Sequence, residues 1–175
     1  MPQEMTSFFL AFTVFAVASR IASLVVSLRH EAALKRAGAV EYGALNSNLL
    51  ALCHVLFYAA AIWEGWARGP ELDAVATTGI VLYLVALLFL CYVVHLLGRL
   101  WTVKLIIATD HTLVTHPLFR TIRHPNYFLN IVPELVGLCL ALHSFKTLAI
   151  GLPIYLVPLT VRIVQEEKAM RARFG

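Results

Sequence analysis

Five long apolar runs, at 6–28, 48–66, 74–97, 126–143 and 145–165, fill most of this 175-residue chain and limit its folding more than any motif does. Each comes near the roughly 20 residues that a helix needs to cross a bilayer. Lipid supplies no partner for backbone N–H and C=O groups, so segments of this kind must be helical. Composition points the same way. The chain is 60% hydrophobic and 14% charged, whereas soluble domains run near 45–50% apolar and about 25% charged. A water-soluble domain is thereby excluded. The sequence predicts one all-α integral membrane domain over 1–175, with three spans in 1–97 and a connector, helical hairpin and tail in 98–175.

The net charge of +4 does not indicate nucleic acid, because the basic residues are scattered between apolar runs and form no single basic face. They act as topology signals instead. Arg29, His30, Lys35 and Arg36 follow the first run, Arg99, Lys104, Arg120 and Arg123 follow the third, and Lys168, Arg171 and Arg173 follow the fifth. The positive-inside rule puts these three regions in the cytoplasm, with the N-terminus outside and the C-terminus inside. Ala16-Val17-Ala18 resembles a signal-peptide cleavage site, but residues 1–7 carry Glu4 and no basic residue, so the first run is expected to stay as a span. Cys53, Cys91 and Cys139 each lie in an apolar run without paired spacing and read as small buried hydrophobes.

The fourth and fifth runs are separated by only a short turn and should pair as a hairpin. Both of its open ends then return to the basic face, bringing 111–127 close to 162–167. Pro133, Pro153 and Pro158 fall within the hairpin, where each removes a backbone hydrogen bond and favours a kink. Arg162 and Glu166 share a helical face, an arrangement equally suited to an ordinary ion pair or to a site. The connector gathers His111, His116, Arg120, Arg123 and His124, and Pro125 suits the first turn of a helix whose free N–H groups could meet an anion. The histidine spacing matches no zinc signature, and no metal is expected. Glu134 lies inside an apolar run, where a carboxylate must face the bundle interior or a cavity. It is placed on the substrate side, with His54 and His95 as further candidates to line an acceptor pocket.

Arg123-His124-Pro125-Asn126-Tyr127, followed by Arg162-Ile163-Val164-Gln165-Glu166-Glu167, resembles the paired C-terminal signature of the isoprenylcysteine carboxyl methyltransferase family. His111-Thr112-Leu113-Val114 extends the resemblance upstream. The stretches 36–43 and 97–104 are similar to short bacterial members that O-methylate alkylpyrones and related lipids. The resemblance implies a bacterial inner-membrane protein that binds S-adenosylmethionine at the cytoplasmic face and releases S-adenosylhomocysteine. Carried over by position, Lys104, His111, Thr112, Leu113, Val114, Phe119, His124, Pro125, Asn126, Tyr127 and Glu166 would contact the cofactor. Arg162 would face the acceptor oxygen, and Arg162 and Glu166 form the implied catalytic pair. Pro117, Phe119 and Leu129 depart from the family pattern, which weighs against prenylcysteine and toward an alkylpyrone or phenolic lipid. No obligatory protein partner is implied. The competing readings are a phospholipid N-methyltransferase and a small membrane transporter or scaffold that binds no cofactor.

Overall fold

The computed structural model describes residues 3–107 and 116–174. Helix α1 runs from Gln3 to Arg36, α2 from Ala44 to Arg68 and α3 from Ala74 to Leu97. A 3-10 turn, Gly98–Leu100, leads into the connector, which holds the short helix α4, Pro117–Thr121. A π-helical segment, Asn126–Ile131, continues into α5, Val132–Ala141, and a second, Thr147–Gly151, continues into α6, Leu152–Phe174. The protein is an all-α integral membrane protein, as the apolar runs require.

Among the described residues, four helices are long and apolar enough to span a membrane: Gln3–Arg36, Ala44–Arg68, Ala74–Leu100 and Thr147–Arg173. The fourth apolar run corrects the expectation of five full spans, because it forms only the helix Asn126–Ala141. At 1.5 Å per residue such a helix is about 24 Å long, short of a hydrocarbon core of roughly 30 Å. Its burial explains how it is tolerated. Tyr127, Asn130, Glu134, Leu135, Gly137, Leu138, Cys139 and Ala141 are all buried within the bundle. Gly79 on α3 and Gly137 on α5 let these two backbones meet closely, since a Cβ on Gly137 would lie 2.7 Å from Tyr83 N and 2.8 Å from Gly79 O. Small residues at such crossings are the usual basis of tight packing between membrane helices.

The prolines fall where the helical register changes. Pro133 and Pro153 each stand in the first turn after a π-helical segment, where a missing N–H is accommodated by the wider turn. Pro158 lies inside α6, and its carbonyl accepts from Asn46 Nδ2 of α2 at 3.0 Å.

The two ends of the bundle differ in chemistry. At one end Asp73 caps α3 by accepting from Ala76 N at 2.7 Å, and His143 Nε2 lies 3.2 Å from its carboxylate. Glu64 of α2 accepts the backbone N–H groups of Lys146 and Thr147 and so closes the hairpin turn. The other end gathers the basic segments. There a small antiparallel sheet, which the apolar pattern did not reveal, pairs β1, Val40–Tyr42, with β2, Leu105–Ile107. Leu105 and Ile107 pack on Ala169 and Met170 of α6, which fixes the connector against the last helix.

Candidate active site

A cavity of about 770 Å³ opens at the basic end. One wall is apolar, formed by Val93, Leu97, Leu100, Trp101 and Leu105. The polar part of the lining carries His124, Asn126, Tyr127, Arg162, Glu166 and Glu167. This division suits a ligand, or a pair of ligands, with one lipophilic and one charged part.

The polar wall is built around Tyr127. Its hydroxyl donates to Glu166 Oε2 at 2.6 Å and accepts from Arg162 Nε at 3.2 Å. Arg162 and Glu166, four residues apart on α6, are therefore not simply paired with each other. A phenol from the neighbouring π-helical segment stands between them. Arg162 is 3% exposed, and its guanidinium is held on two further sides, by Ser47 Oγ at 2.6 Å and Val103 O at 3.0 Å. Among the described residues its two remaining N–H donors have no partner, and the side chain lines the cavity.

His124 stacks on Tyr127, with ring centroids 5.8 Å apart. Its Nδ1 lies 3.6 Å from Glu166 Oε1 and its Nε2 lies 3.5 Å from Glu167 Oε1. The Glu166 carboxylate is the main cause of an upward shift in the histidine pKa, opposed by partial burial and reinforced by Glu167.

Lys104 lines the cavity, but its ammonium is paired with Glu31 Oε1 at 2.8 Å and approaches Glu41 Oε1 at 3.8 Å. Its charge is largely satisfied within the protein. Phe119, Pro125 and Asn126 also line the cavity, whereas His111, Thr112, Leu113 and Val114 lie outside the described residues.

Two expected acceptor contacts are placed elsewhere. Glu134 is fully buried in the bundle, ion-paired with Arg20 and hydrogen-bonded by the Tyr58 hydroxyl, and is not part of the cavity lining. His54 stacks on Tyr58 and lies 3.2 Å from the Tyr155 hydroxyl, also away from the cavity. His95 is exposed on α3. A carboxylate inside an apolar run needs a partner, and Arg20 of the first run supplies it, so the substrate-side placement of Glu134 gives way to an internal pairing.

Ser47 and the Val103 carbonyl, which orient Arg162, were not singled out from the sequence. Ser47 sits between Asn46 and Asn48, where a polar cluster at the start of a span was the available signal.

The model of the isoprenylcysteine carboxyl methyltransferase family matches residues 78–172, which is more than half of the chain and covers the whole polar wall. The chain belongs to this family. An uncharacterized protein of Haemophilus influenzae is 46% identical over 158 residues, covering 90% of this chain and 92% of the relative. The uncharacterized protein YpbQ of Bacillus subtilis is 25% identical over 159 residues, covering 89% and 92% of the two chains. No solved structure gives a significant match. Membership of the isoprenylcysteine carboxyl methyltransferase family makes the protein a membrane methyltransferase in general terms, and the matched region includes both His124 and Glu166.

Proposed function

We propose that this protein is an S-adenosylmethionine-dependent O-methyltransferase acting on a small lipophilic acceptor, with an alkylpyrone or phenolic lipid preferred to a prenylcysteine carboxylate. The observation that carries the reading is the hydrogen-bonded series Arg162–Tyr127–Glu166 on the wall of a largely apolar cavity. The donor set fits the cofactor. Glu166 offers a carboxylate that accepts from a neutral phenol and lies 3.6 Å from His124, so its negative charge is open to a cation when that histidine is neutral. Its neighbour His124 has an Nδ1 without a hydrogen-bond partner among the described residues. His124, Pro125, Asn126, Tyr127 and Glu166 would hold the cofactor, with His111 to Val114 of the connector as its further expected contacts.

S-adenosylmethionine supplies an electrophilic methyl group on a sulfonium. The work left to the protein is alignment, electrostatic support and exclusion of water. Arg162, desolvated and held on three sides, presents fixed N–H donors toward the cavity and would orient an anionic oxygen. Hydroxypyrones and carboxylates are largely ionised near neutral pH, so no strong general base is needed. A buried guanidinium suits such an acceptor better than an amine, which favours O-methylation over phospholipid N-methylation. The apolar wall formed by Val93, Leu97 and Leu100 would take the tail of the acceptor, entering from lipid. The basic end would face the cytoplasm of a bacterial inner membrane, where the cofactor is found.

Calorimetric titration of the detergent-solubilised protein with S-adenosylhomocysteine tests the cofactor. Glu166→Gln should weaken binding about tenfold or more, the loss of one charge-assisted contact. Transfer of labelled methyl to a bacterial lipid extract tests the reaction, and Arg162→Ala should reduce it about 100-fold while cofactor affinity stays near wild type. A folded wild-type protein that binds no S-adenosylhomocysteine would overturn the reading.

A further inference from the structure

Midway along the bundle, away from the cavity, a polar series runs through four helices. Arg20 of α1 is ion-paired with Glu134 of α5. Tyr58 of α2 donates to Glu134 and lies 3.3 Å from the Tyr83 hydroxyl of α3, which is 2.9 Å from Ser19 Oγ of α1. One branch of this series leads back to the cavity. Arg20 Nη2 donates to Asn130 Oδ1 at 3.2 Å, and Asn130 Nδ2 donates to Asn126 Oδ1 at 3.2 Å. Asn126 lines the cavity, and Asn130 is 1% exposed.

The direction of this branch follows from chemistry. A guanidinium only donates, so the amide of Asn130 must turn its oxygen to Arg20, and its NH2 group then faces Asn126. That in turn draws the Asn126 oxygen away from the cavity. Among the described residues no group accepts from Asn126 Nδ2, which is left to the ligand. Glu134 keeps the guanidinium in place and compensates its charge in the apolar interior.

We propose that Arg20 is a positioning residue that sets the hydrogen-bonding polarity of the cavity wall: through Asn130 it turns the Asn126 amide so that N–H, not oxygen, meets an anionic oxygen of the ligand. The inference rests on the methyltransferase reading above. The anionic oxygen is either the carboxylate of the cofactor or the oxyanion of the acceptor, and one set of variants separates the two.

Two variants remove the relay by different routes. Arg20→Met/Glu134→Met takes out both members of the buried pair, an exchange that bundles tolerate better than loss of one charge. Asn130→Leu leaves the pair intact. Arg20→Lys retains a donor-only cation and serves as the conservative rescue. Each is titrated, after thermal unfolding shows it folded, with S-adenosylhomocysteine and with 5′-methylthioadenosine, which keeps the nucleoside and thioether but lacks the carboxylate.

If Asn126 meets the carboxylate of the cofactor, both relay variants lose about tenfold in affinity for S-adenosylhomocysteine, with 5′-methylthioadenosine unchanged and Arg20→Lys near wild type. If it meets the acceptor, both affinities hold, and the amount of lipid extract needed for half-maximal methyl transfer rises by a similar factor. Parallel losses for both nucleosides would show a merely structural effect and overturn the proposal. So would folded relay variants that match wild type in all three measurements. Failure of wild type to bind either nucleoside would sink the functional reading itself, and the inference with it.

Discussion

Glu134 and Glu166 are two carboxylates in one bundle, each hydrogen-bonded by a tyrosine and each near an arginine, yet they are arranged to opposite ends. Glu134 is paired directly with Arg20 and has no exposed side-chain surface. Glu166 keeps 31% of its side-chain surface exposed, and Tyr127 separates it from Arg162. In the first case the two charges cancel within the protein and tie α1 to α5. In the second, a neutral phenol holds acid and base apart, and the acid faces the titratable His124 at 3.6 Å, so among the described residues its charge is not cancelled by a fixed counter-charge. Separation within hydrogen-bonding reach is what distinguishes a candidate site from an internal brace.

Single substitutions should break the comparison most visibly at Glu134. Glu134→Ala leaves Arg20 without its counter-charge in the apolar interior, and breaking such a pair costs about 3 kcal/mol or more. Thermal unfolding in detergent should show a large loss, whereas Glu166→Gln should unfold near wild type and fail in cofactor binding. If Glu134→Ala unfolds like wild type, the pair is not the brace described.

A smaller effect is expected at the crossing beside Glu134. The methyl groups of Gly137→Val would meet the backbone of Tyr83 and Gly79, with no flexible side chain to move aside. Overpacking of this kind costs about 1–3 kcal/mol. Stability should fall by that amount, with affinity for S-adenosylhomocysteine nearly retained, because the cavity lies at the other end of this helix. Loss of both in equal measure would mean that the two regions are not separable.

The apolar runs and basic clusters were enough to read a membrane bundle with its polar clusters at one end, because length, charge and hydrogen-bond need leave few alternatives. The meeting of 123–127 with 162–167 was legible for the same reason: a short hairpin turn forces its open ends together. The length of the fourth span was not, since apolarity in 126–143 does not distinguish a lipid-facing helix from one enclosed by its neighbours. Nor was the strand pair, as Val40–Tyr42 and Leu105–Ile107 are too short to show an alternating pattern. The partner of Glu134 could have been found. Arg20 is a second charge inside an apolar run, and two opposite intramembrane charges are best read together. The position of Tyr127 between Arg162 and Glu166 depends on side-chain geometry across two helices, which spacing along one helix does not encode.

The finest test of the contrast is the pH response of the cavity side. Glu166 and Glu167 hold the His124 pKa above its ordinary value, so the folded chain retains a proton that the unfolded chain loses. The stability from this pairing is fully present below the unfolded histidine value of about 6.5 and is lost as pH rises through the raised folded value. Cofactor affinity should move the other way over the same window, since deprotonating His124 returns uncompensated negative charge to Glu166. Melting temperatures and S-adenosylhomocysteine titrations from pH 5 to 9, on wild type and on His124→Gln, measure both trends. The variant should lose a modest part of the stability at low pH and show a flatter affinity profile. Identical profiles for the two proteins would mean that His124 does not set the charge of Glu166, and the acid's availability to a ligand would then rest on Tyr127 alone.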